Sequence, residues 1–164
     1  MIGALRSKRL TAATLATSAL VFGVSVLVGT GRAQPMRSAP YTCSAADRQF
    51  ISTVSSNLMQ LGYWSDALVS HDAAPGVVVL QTRSEAQQVQ QTRPQDRTLG
   101  ATRDLLGSMF LEYSKAVALS ARGRSADGHM TTAWRLAGAV HTLLAGAKDG
   151  LGAQGCDVTP LLGA

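Results

Sequence analysis

The side chains with the widest chemical range in this chain are two cysteines, Cys43 and Cys156, and three histidines, His71, His129 and His141. A zinc site needs three or four such ligands brought together, and these histidines are too dispersed to supply even a close pair. His71 falls in a Pro/Gly turn and His129 at a helix start, where both are expected to face solvent. His141 sits inside the apolar run "TTAWRLAGAVHTLLAG", seven residues after Trp134. There it would be a border histidine of a helix, or a single polar contact to a bound ligand. The chain has no G-x-S-x-G elbow and no H-E-x-x-H. No pair of carboxylates falls on an apolar face, so acid–base catalysis has no visible apparatus. No catalytic residue, metal site or cofactor is expected, and the chain reads as a non-enzyme.

"GLGAQG", Gly150 to Gly155, spells a G-x-G-x-x-G. A dinucleotide site requires a strand before that motif and a helix after it. Here a helix precedes and only nine residues follow. The run reads as a helix stop leading into Cys156.

The two cysteines form no Cys-x-x-Cys, and an even pair in an exported chain reads as one disulfide. Export itself is written at the start. "MIGALRSKRL" is basic, Leu10 to Gly31 carries no charge, and small residues flank Arg32. This is the layout of a secretory signal cleaved after Ala33, with an uncleaved anchor over 10–31 as the rival. Either way the remainder lies outside the cytoplasm. The charge balance agrees. Of fifteen basic residues, Arg6, Lys8, Arg9 and Arg32 precede position 34, leaving eleven against ten acidic residues, a net +1 instead of +5. The basic excess thus belongs to the leader, and no basic patch for nucleic acid remains. Contact with a membrane is expected only through the N-terminal segment, if it is uncleaved.

The elements that would position these residues are helices. After the leader (1–33) and an extended lead (34–43), the domain spans 44–164. The first helix is capped by Ser44 with Asp47 in its first turn, and carries Phe50, Ile51, Val54, Leu58, Leu61 and Leu68 at helical spacing. "VVVLQT" (77–82) has strand-like composition but no partner strand, so 76–91 reads as a second helix with a solvated glutamine face. "TRPQ" resembles a capping box opening the third helix at Thr92. The fourth helix runs from about Ala126 to Lys148. Short connectors make this an all-α, antiparallel four-helix bundle, closed by Cys43–Cys156 and preceded by the signal or anchor helix.

Polar residues on apolar faces are the remaining candidates. Asn57, Tyr113 and His141 fall at heights of about 18, 28 and 10 Å from the disulfide end, too staggered to form one cluster. Ala133, Ala137 and Gly138 could leave space between helices, with Tyr113, Trp134 and His141 as ligand contacts. The functional expectation is binding of an envelope or extracellular protein partner, through Met59, Tyr63 and the glutamine face. The alternative is a carrier of haem or a small apolar ligand within the bundle.

Overall fold

The computed structural model describes residues 41–163, so the expected leader, its cleavage point and most of the extended lead lie outside the described residues. The described chain is all-helical. It comprises α1 (Ala45–Val69), α2 (Pro75–Gln91), α3 (Arg97–Ser120), α4 (Asp127–Ala153) and a short α5 (Thr159–Leu162).

Each start has a local cause. Ser44 caps α1 reciprocally with Asp47: the Asp47 N–H donates to the serine hydroxyl, and the Ser44 N–H donates back to the carboxylate. Pro75 opens α2, where its fixed φ suits the first turn and its missing N–H costs nothing. The branched run 77–82 is helical, as the lack of a partner strand requires. The third helix starts later than the sequence suggests. Thr92 ends α2, donating its hydroxyl to the Val89 carbonyl at 2.5 Å. Pro94 holds Arg93 out of helical geometry, and α3 waits for Asp96, which accepts from the Thr98 and Leu99 N–H groups at 2.7 and 3.1 Å. α4 runs past Lys148 to Ala153. Gly150 and Gly152 are helical, and Gly155 (φ +84°) makes the left-handed turn that delivers Cys156.

Hydrogen bonds between helices fix their directions. The starts of α1 and α3 meet at Asp47, which accepts from the Gln95 and Asp96 N–H groups at 2.7 and 3.0 Å. Their later turns meet where Ser65 and Tyr113 share a hydrogen bond of 2.8 Å. These two helices therefore run the same way. The end of α3 meets the start of α4 through Glu112 and His129, 2.6 Å apart, so α4 runs against it. Cys43 and Cys156 are joined at the end where α1 starts and α4 finishes, and beside them the Cys43 N–H donates to the Gln154 carbonyl at 2.8 Å. α5, absent from the sequence-based expectation, caps this end with Val158 and Leu161 buried.

One core runs through the bundle, with Phe50, Val54, Val89, Leu99, Leu106, Phe110, Val140 and Leu144 at its centre. Gly107 is buried where α3 meets α2, and a Cβ there would overlap the Gln90 side chain. α3 packs closely on both α2 and α4, whereas α1 leans on α2 and α5. That asymmetry leaves a furrow between α1 and α4 at the end away from the disulfide. Among the described residues no helix is long and apolar enough to cross a membrane.

Candidate functional site

The furrow is a groove of about 820 Å³. One wall is α1 (Leu61, Ser65, Leu68, Val69), the other α4 (Ala126 to Ala137), and α3 forms the floor with Met109, Tyr113, Ala116 and Val117. His71 and Pro75 line it at one end. From Ala126 to Ala137 the groove extends about 17 Å, eleven rises of about 1.5 Å. Size and lining are those of a small-molecule site: mostly apolar, with a few polar groups.

Helix geometry explains why the groove exists. Ala133, Ala137, Ala116, Ala121 and Ala126 place methyl groups where larger side chains would fill the gap. Trp134 stands at the rim with 72 % of its surface exposed. The turn at the groove's mouth is a Schellman motif, with the Asp72 N–H on the Ala67 carbonyl and the His71 N–H on the Leu68 carbonyl. Its left-handed position, φ +65°, is held by His71 where glycine is usual.

The polar groups in the lining are few. Ser65 and Tyr113 hold each other across the floor at 2.8 Å. Asp127, on the first turn of α4, accepts from the Ser125 hydroxyl at 3.2 Å. Outside the lining, Glu112 braces α3 against α4 through His129. The His129 hydrogen bond, then that of Lys115, holds its carboxyl below the usual range. His129 is thus tied to Glu112 and only half-exposed, where the sequence suggests solvent.

Of the three residues singled out as ligand contacts, the structure brings Tyr113 and Trp134 into one groove and leaves His141 out of it. His141 is exposed. Its neighbours Val140 and Leu144 take the inward direction of α4, so the border position turns to solvent. Gly138 is exposed as well, while Ala133 and Ala137 line the groove. Asn57 is buried and donates to the Glu85 backbone carbonyl at 3.2 Å, away from the groove. Cys43, Asp47 and Cys156 lie close together, but the two sulphurs are bonded to each other and the Asp47 oxygens are taken by five donors.

Sequence reasoning missed Glu85. Only 1 % exposed, it has no hydrogen-bond partner on either carboxylate oxygen, and Thr82 Oγ1, one turn away, has none either. Burial pushes the Glu85 carboxyl up to about 7. The available signal is its register with Val78, Thr82, Ala86 and Val89, the buried positions of α2. An acid raised in the folded state binds more protons folded than unfolded, so stability falls as pH rises through that interval. Between the ordinary value of 4.5 and about 7, Glu85 is expected to remove about 3 kcal/mol, and little more above it. Glu85→Gln should abolish most of this slope in urea unfolding followed across pH. An unchanged slope would show that the carboxyl finds water or a partner.

Comparison with family models, curated proteins and solved structures returned no match to this chain.

Proposed function

We propose that this protein is a non-enzymatic, extracytoplasmic binding protein whose α1–α4 groove carries a small apolar ligand. The observation that carries this reading is the groove itself: about 820 Å³, apolar walls from three helices, and an exposed tryptophan at its rim. The signal-like segment before position 34 and the Cys43–Cys156 disulfide support the location. The haem version of the carrier loses the residue it was built on, because His141 stands outside the groove.

N-phenylnaphthylamine, an uncharged dye that brightens in apolar surroundings, tests the reading. It is expected to bind the mature protein at one site with a Kd in the micromolar range, about −8 kcal/mol. Ala137→Trp places an indole in the groove and is expected to weaken binding at least about tenfold. Unaltered binding by a folded Ala137→Trp protein would place the dye elsewhere.

A second reading rests on the outer face of α1. Met59 and Tyr63, one turn apart, are 66 % and 65 % exposed and suit contact with a partner protein of the envelope. Cross-linking from Met59 in intact cells would capture that partner; recovery of the uncross-linked chain alone would remove the support.

A further inference from the structure

We propose that the groove's occupant is an uncharged amphiphile, an alkyl chain ending in a hydroxyl or carbonyl group, gripped at its polar end by Ser65 and Tyr113. This rests on the groove reading above and names the class of ligand.

Two observations carry it. The first is the hydroxyl pair. Ser65 Oγ and Tyr113 Oη lie 2.8 Å apart within an otherwise apolar lining. Two hydroxyls bring two O–H donors, and their mutual hydrogen bond consumes one. Neither hydroxyl bonds elsewhere among the described residues. One donor and several lone pairs therefore remain without a partner among the described residues, on two side chains that line the space between α1 and α4. A hydroxyl or carbonyl oxygen on a ligand would satisfy that donor, and a plain hydrocarbon would not.

The second is charge. Among the described residues no lysine or arginine lines the groove, and Asp127 is its one carboxylate. A carboxylate-headed ligand would lose its hydration against apolar walls with no cation to compensate, and with Asp127 in the same lining. Helix dipoles do not change this balance. The alternating directions place the starts of α2 and α4 beside the ends of α1 and α3, so their partial charges offset one another. An ammonium head would find only Asp127, which is exposed at the mouth and screened by solvent.

Displacement of N-phenylnaphthylamine by decanol, decanoate and decylammonium tests the proposal. Decanol is expected to displace the dye at a concentration at least about tenfold lower than decanoate. Combining Ser65→Ala with Tyr113→Phe should lower decanol affinity about fivefold to tenfold relative to that of the dye, one hydrogen bond's share. Decanoate binding as tightly as decanol would overturn the proposal, as would decylammonium binding more tightly or decanol unaffected in the double variant. In those cases the groove reading survives if Ala137→Trp still blocks the dye. If the Ala137→Trp protein fails to unfold cooperatively, Ala121→Trp, at an exposed lining position, serves instead. Absence of dye binding to wild type, or dye binding that neither filler weakens, overturns both.

Discussion

Replacing Cys43 and Cys156 with serine is expected to lower the unfolding free energy by about 4 to 5 kcal/mol. The bond spans 113 residues, and cross-linking so long a loop removes a large chain entropy from the unfolded state. The native geometry asks little in return. α1 starts and α4 ends at the same end of the bundle, and Gly155 turns the chain back towards Cys43. The tie is shared by the Cys43–Gln154 backbone hydrogen bond and by Arg48, which donates to the Cys43 carbonyl at 2.7 Å. Small domains have about 5 to 15 kcal/mol in all, so the variant would sit near the edge of folding. Urea unfolding of the oxidised protein and the double serine variant measures this. A difference below about 1 kcal/mol would mean that strain or residual unfolded structure cancels the entropic gain.

Asp47→Ala is expected to cost about 4 kcal/mol, the second largest effect. Asp47 is wholly buried, and burial works against its charge. The donors outweigh that cost. The Asp96 N–H, the Ser44 hydroxyl, the Tyr41 hydroxyl and the Ser44 N–H hold its carboxyl well below the usual range, and the Gln95 N–H adds a fifth bond. Removing the carboxylate strands several of these donors and unties α1 from the start of α3. Hydrogen bonds to charged groups are worth about 1.5 to 3 kcal/mol each and do not add fully, which sets the magnitude. The linkage has the opposite sign to that of Glu85. An acid depressed in the folded state stabilises above its ordinary value, 3.8, and that contribution is lost as pH falls below it. The combined contribution of these two groups should therefore be greatest at about pH 4 to 5, between protonation of Asp47 in the unfolded chain below 3.8 and ionisation of Glu85 in the unfolded chain above 4.5. Asp47→Ala should unfold at lower urea at every pH, and its acid limb should flatten.

What could be read in advance follows from how local each cause is. The Ser44–Asp47 cap is legible because both members sit three residues apart. Asp47's larger role is not, because Gln95 and Asp96 lie 48 and 49 residues away. Thr92 misleads because the spacing to Gln95 imitates a capping box, while the N–H of Gln95 is already claimed by Asp47. Glu85 keeps step with the buried valines of α2 but is disguised by the glutamines around it, exposed at 87, 88, 90 and 91. The candidate site was legible in part. Tyr113 and the alanines of α4 point inward on a helical wheel, and they line the groove. Trp134 and His141 do not follow the wheel, because each lies at its border, and there the rotation of α4 against α3 decides exposure. The groove itself belongs to no single helix. It exists because α1 packs on α2 and α5 and leaves α4 uncovered at one end, an arrangement no periodicity encodes.

The central claim, that the α1–α4 groove is where this protein binds its ligand, is tested most directly by methionine-methyl NMR during a decanol titration. Met109 and Met130 line the groove, and Met59 lies outside it on the outer face of α1. Saturable shifts of the Met109 and Met130 methyls are expected, with Met59 unmoved. Shifts confined to Met59, or none that saturate, would contradict it.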